Sequence, residues 1–117
     1  MNKEDLKNRF KKFALRVIKL TRALPSTYES KVMGGQLLRC GTSSAANYRA
    51  ACRGKSRPDF ISKLGIVEEE LDESMFWMEI IIESELIARH LIKDLYQETD
   101  ELLSIIIKSK ITARNNK

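Results

Sequence analysis

Apolar residues recur along this chain at alternating spacings of four and three. Leu6, Phe10, Phe13, Val17, Leu20 and Leu24 form a heptad-like seam, widened by Ala14 and Ile18. Lys7, Arg9, Lys11, Lys12, Arg16, Lys19 and Arg22 occupy the positions between. The pattern predicts an amphipathic helix over about 4–24. Pro25 stops it, because a residue before proline is pushed out of the α region, and Ser26 or Ser30 stands ready to cap the next helix. The same spacing returns at Phe60, Leu64, Val67, Leu71, Ser74, Met78 and Ile81, giving a helix over about 58–84. Its polar face is acidic through Glu68, Glu69, Asp72, Glu73, Glu79 and Glu83. A last helix, about 92–113, carries Leu95, Leu102, Leu103, Ile105, Ile106 and Ile107. The break before it contains neither Gly nor Pro and is placed on length. A helix unbroken from 59 to 113 would exceed about 80 Å, too long for a chain of this size.

The stretch over about 28–52 is helical with a weak seam: Met33, Leu37, Cys40, Ser44, Asn47 and Ala51. Gly34, Gly35, Gly41, Thr42, Ser43, Ala45 and Ala46 make it still smaller. Each interior glycine costs a helix about 1 kcal/mol relative to alanine, so close approach of a neighbouring helix is the expected compensation. Gln36, Ser43, Ser44 and Asn47 would then be satisfied across that contact. Arg53-Gly54-Lys55-Ser56-Arg57-Pro58 reads as the clearest loop, with Gly54 as helix C-cap, Ser56 or Arg57 near the next cap and Pro58 opening the next helix. Four helices joined by short turns predict an all-α, antiparallel up-down-up-down four-helix bundle, one domain over residues 1–117.

Composition agrees: 43% of residues are apolar and 32% charged, with five Gly and two Pro, as in a helical globular domain. The N-terminus carries charges of both signs and no apolar run is long enough for a bilayer, so no signal peptide, no membrane and a cytoplasmic location are expected. Cys40 and Cys52 lie on one helix, roughly 18 Å apart along its axis, which excludes a disulfide between them and predicts buried, reduced thiols.

Charge divides the chain. Residues 1–58 hold fourteen Lys or Arg against three acids, and residues 59–117 hold seven against thirteen. A basic half of +11 facing an acidic half of −6 implies a polyanionic ligand, attraction between the halves, or both. Lys12, Arg16 and Lys19 form one stripe on the first helix, while Arg39, Arg49 and Arg53 lead into Lys55 and Arg57 in the loop. Cations on rigid helices track phosphates, and Phe10, Phe13, Phe60, Phe76 and Trp77 fall on or near apolar seams, so recognition of backbone or shape is expected. The alternative is a protein-interaction module whose basic face docks on an acidic partner or a neighbouring subunit.

Catalytic and metal sites find no support. His90, a surface or turn residue, is the one histidine, and Ile87 occupies the place of the glutamate in a Glu-x-x-His motif. Cys40, Cys52 and His90 have no zinc-site spacing, and Ser43 and Ser44 lack a base. Gly54-Lys55-Ser56 resembles the end of a P-loop, but Arg49 stands where its first glycine belongs. The run Glu68-Glu69-Glu70 reads as a solvated or ion-paired helix face. No enzyme activity, no metal and no cofactor are expected.

QLLRCGTSSAANYRAA at 36–51 and RPDFISKLGIVEEELDESMFWMEIIIES at 57–84, with Leu24-Pro25 and the segment 98–103, resemble the bacterial four-helix-bundle family that includes proteins encoded within intervening sequences of 23S ribosomal RNA genes. The chain is similar also to the accessory variability proteins of diversity-generating retroelements. The resemblance implies a homo-oligomer, a pentamer in the retroelement proteins, whose basic surface binds RNA or DNA and a reverse transcriptase. It places Gln36, Arg39, Asn47, Arg49, Phe60 and Glu70 at motif positions that maintain fold and assembly, with Arg49 and an acid of the third helix as a buried or interface pair. The likeness is to proteins encoded beside ribosomal RNA, not to ribosome subunits.

Overall fold

A computed structural model describes residues 1–116. Four helices run as α1 (Lys3–Ala23), α2 (Tyr28–Ala51), α3 (Arg57–Glu83) and α4 (Lys93–Asn115), with a short 3₁₀ turn at Arg89–Leu91 before the last. The first three starts have a local cause. Asn2 and Asp5 form a capping box on α1, Thr27 rather than Ser26 or Ser30 caps α2, and Ser56 caps α3 with Pro58 in its first turn.

Contacts between neighbours fix the directions. On α1 and α2, Phe10 stacks on Tyr48 with ring centroids 4.9 Å apart, and Val17 lies against Gly41. Cys40 of α2 meets Ser74 of α3, and Tyr96 of α4 donates to Glu79 of α3 at 2.8 Å. Further along, Gly54 approaches Asp59 and Lys110 reaches Glu68, so residue numbers rise on one partner as they fall on the other and successive helices are antiparallel. The result is a rod of 50 × 21 × 20 Å, with α2 and α3 most extensively packed and α1 against α4 least.

The heptad-like seams form the core. Phe10, Phe13, Val17, Leu37, Leu64, Val67, Leu71, Met78, Ile81, Leu102 and Ile106 are all buried, joined by Ile92 at the start of α4. Ile107 departs from the expectation and is exposed. Glycine in α2 serves close approach at two positions. A Cβ on Gly34 would stand 2.9 Å from Leu24 Cδ1, and one on Gly41 would stand 3.0 Å from both methyls of Val17. Gly35 has nothing within 4 Å and gains nothing from lacking a side chain. Gly35→Ala is therefore expected to stabilise the protein by up to about 1 kcal/mol, while Gly41→Ala, pressed on a stiff β-branched neighbour, destabilises it by about 1–2 kcal/mol. Urea midpoints moving in opposite directions would show this; equal shifts would contradict it.

Two expectations are corrected, and the break placed on length is found with its cause. The polar residues of α2 are satisfied mainly within their own helix: Ser44 donates to Gly41 O, Asn47 to Ser43, and Gln36 accepts from Arg39. Gly54 has no positive φ and is no left-handed cap; it permits a tight approach, since a Cβ there would meet Ala51 O at 3.0 Å and Asp59 Oδ2 at 3.1 Å. The unmarked break before α4 is a Schellman turn, in which Leu86 N–H reaches Ile81 O at 3.3 Å and Glu85 N–H reaches Ile82 O at 3.0 Å. Glu85 takes the left-handed position (φ 61) that glycine usually fills, which is why the sequence gives no warning there.

Candidate nucleic-acid interface

The predicted basic set separates into residues tied to acids and residues left free. Arg39 belongs to the first group and leaves the candidate surface. Its guanidinium pairs with Glu73 and lies 3.5 Å from Glu70, and Glu73 also accepts from the Trp77 indole at 3.3 Å. Arg39 and Glu70 thus join α2 to α3, as motif residues that maintain the fold would. Within its own chain Arg49 pairs with no acid of α3 among the described residues. It is exposed, enters no ion pair among the described residues, and faces the α1 side of α2.

The other ties are short. Arg9 clasps α4, its Nη2 2.7 Å from Glu98 and 2.9 Å from Glu101. Lys110 reaches Glu68 at 2.7 Å, and Lys63 reaches Asp59 at 2.7 Å. That contact, with the Lys55 amide, holds the Asp59 carboxyl below its usual range. Asp59 in turn draws the 53–57 loop onto the first turn of α3, accepting from the Lys55 amide at 3.2 Å. Phe60 is half-buried, with Lys3 Nζ 4.5 Å above its ring.

Lys12, Arg16 and Lys19 are exposed and unpaired among the described residues. They continue the helical row begun by Arg9, so the stripe borders the seam between α1 and α4. Arg53, Lys55 and Arg57 are exposed at the far end of the rod, where α2 turns into α3.

A second surface was not singled out by sequence reasoning. Between α1 and α2 runs a groove of about 370 Å³, with Lys7 and Lys11 on one rim and Arg49 and Arg53 on the other. Ala14, Ala45 and Ala46 form its floor. The available signal was two i,i+4 cation pairs beside alanines, but only the antiparallel register set by Phe10 on Tyr48 brings the pairs together. Both thiols are free, and burial pushes the Cys40 thiol up in pKa. Among the described residues no cluster of three His, Cys, Asp or Glu is arranged to hold a metal ion, and no helix is long and apolar enough to cross a membrane.

The family model for the 23S rRNA-intervening sequence protein matches residues 3–108. The chain belongs to this family. A crystal structure of a protein with unknown function from the S23 ribosomal protein family of Bacteroides thetaiotaomicron VPI-5482 is similar at 34% identity, with a TM-score of 0.87 over 94% of this chain and 98% of that one. Among curated proteins no sequence matches. In this chain the motif segment 36–51 serves two neighbours: Gly41 and Tyr48 pack on α1, and Arg39 and Cys40 reach α3.

Proposed function

We propose that this protein is a non-catalytic, homo-oligomeric accessory protein of the cytoplasm that binds the backbone of RNA or DNA through the exposed cations of α1, of the end of α2 and of the 53–57 loop. One observation carries the reading, the partition of the cations. Lys7, Arg9, Arg39, Lys63 and Lys110 are held by acids, whereas, of the cations on the inner part of α1, the end of α2 and the loop, Lys11, Lys12, Arg16, Lys19, Arg49, Arg53, Lys55 and Arg57 are exposed and enter no ion pair among the described residues. Like charges gathered without counter-charge destabilise a compact chain, and a polyanion relieves that cost while releasing its own counterions. The exposed aromatic side chains among the described residues, Tyr28 at the start of α2 and Phe76 on α3, lie outside the segments 11–19 and 49–57 that carry these cations, which favours backbone over base contacts.

Binding of structured RNA and duplex DNA, followed by fluorescence anisotropy at rising salt, tests this. Wild-type affinity should fall steeply with salt. Combined Lys12→Glu, Arg16→Glu and Lys19→Glu should cost about tenfold or more and lower the log–log salt slope by about three. Binding indifferent to salt and to these changes would sink the reading, and a monomeric mass in solution would remove its homo-oligomeric part.

A second reading, docking of the basic face on an acidic partner or a neighbouring subunit, is favoured by the opposite side of the rod. Glu69, Asp72 and Glu83 are exposed along α3, with half-exposed Phe76 among them. In that case Arg49→Glu or Arg53→Glu breaks assembly and added RNA changes nothing.

A further inference from the structure

The geometry points to the α1–α2 groove as a clamp for one sugar–phosphate strand, with adjacent phosphates held between two rungs of cations. This rests on the nucleic-acid reading above and goes further in assigning the seat and the form of the ligand. The stack of Phe10 on Tyr48 and the contact of Val17 with Gly41 set the register. In that register Lys11 stands near Arg49, and Lys7 near Arg53. Lys7 and Lys11 are four residues apart on α1, about 6 Å along its axis, and on the other rim Arg49 lies in the last turn of α2 while Arg53 follows just beyond it, so two rungs succeed each other along the groove. That step is comparable to the spacing of neighbouring phosphates along an extended strand.

The floor makes this a seat and not merely a patch. Ala14, Ala45 and Ala46 are the smallest side chains that keep a helix intact, and they leave a trough of about 370 Å³ between the two rims. Three cations of the clamp, Lys11, Arg49 and Arg53, enter no ion pair among the described residues, and the fold gives their charge no other use. A strand in the trough is flanked by cations on both sides. In a duplex one flank of each backbone faces the paired strand, so only the outer phosphate oxygens reach such a site. A single strand is therefore the better ligand. Glu4 stands at the end of the trough, 2.9 Å from Lys7, and competes with a phosphate for that ammonium.

The experiment uses labelled short oligo(U) and oligo(dT), their duplexes, and structured RNA as probes. The proteins are wild type, Arg49→Glu/Arg53→Glu, Ala46→Leu and Glu4→Gln, each checked for helicity and for mass in solution. The double reversal should weaken single-strand binding about tenfold or more and lower the salt slope by about two. Ala46→Leu, at an exposed position, changes no charge but fills the trough; it should weaken binding several-fold at unchanged slope. Glu4→Gln should strengthen it about two- to threefold. Oligo(U) and oligo(dT) distinguish an RNA from a DNA strand.

If wild type binds but Ala46→Leu and the double reversal do not weaken it, the clamp is overturned while the nucleic-acid reading survives. Tighter binding of duplex than of single strand, unaffected by Ala46→Leu, overturns it too. If the groove variants lose mass in solution together with binding, the groove is an interface between copies and the clamp is wrong. If wild type binds none of the probes, both readings fall.

Discussion

Replacing Phe13 by alanine is expected to lower the stability of this protein by about 3–5 kcal/mol. Phe13 is fully buried on the α1 seam, within the same cluster as Phe10, Val17, Leu64 and Leu102. The loss combines the transfer of a whole ring to water with the cavity left among helices that cannot fully collapse. Domains of this size are stable by roughly 5–15 kcal/mol, so the variant should sit near the edge of folding. Phe76→Ala provides the contrast. Phe76 is 50% exposed and rests edge-on against Trp77, 5.0 Å between ring centroids, and its removal should cost about 1 kcal/mol or less. Urea unfolding followed by circular dichroism measures both, with the midpoint falling at unchanged slope for Phe13→Ala. A loss below about 1 kcal/mol there would mean that α1 is not part of the cooperative core.

That contrast shows what kind of information the chain carries openly. Leu6, Phe10, Phe13, Val17 and Leu20 are legible because a helix burying one face must repeat its apolar residues at that period, and all five are buried. Tyr48 was harder to place. The expected seam runs through Asn47, which is only half-buried, while Tyr48 turns inward onto Phe10. On a helix of small residues the apolar stripe is faint, and partner shape rather than hydrophobicity decides the rotation. The same rotation governs the arginines. Arg39 and Arg49 are ten residues apart, less than a quarter-turn around α2, so composition cannot tell which flank meets the acids of α3. The groove was illegible for a related reason: its four cations come from segments some forty residues apart and meet only through register. The turn at Glu85 was hidden because a residue with no turn propensity occupies a position that glycine normally announces.

The seam between α1 and α4 depends on a single side chain more than the others do. It is the least extensive contact between neighbouring helices, and Arg9 spans it with two hydrogen bonds to Glu98, at 2.8 and 2.7 Å, and one to Glu101 at 2.9 Å. The side chains of Arg9 and Glu98 are 24% and 17% exposed, so this is no ordinary surface pair. Arg9→Met keeps much of the aliphatic stem but leaves Glu98 shielded from water without its partner. We expect a loss of about 2–3 kcal/mol, below the figure for a fully buried pair and above that for an exposed one. The sign of the pH dependence follows from the direction of the shift. Glu98 raises the already high pKa of the guanidinium, so from neutral pH upward the contribution is complete and fades only as pH climbs through the arginine range. The difference between wild type and Arg9→Met should therefore stay level from neutral pH into moderate alkali. Adding Glu98→Gln to Arg9→Met should recover part of the loss, because the stranded charge is then gone. A double-mutant cycle by urea unfolding tests this, together with hydrogen exchange, in which the α4 amides should lose protection first. An Arg9→Met penalty within about 0.5 kcal/mol would reduce the clasp to a surface ion pair and leave α4 held by α3 alone.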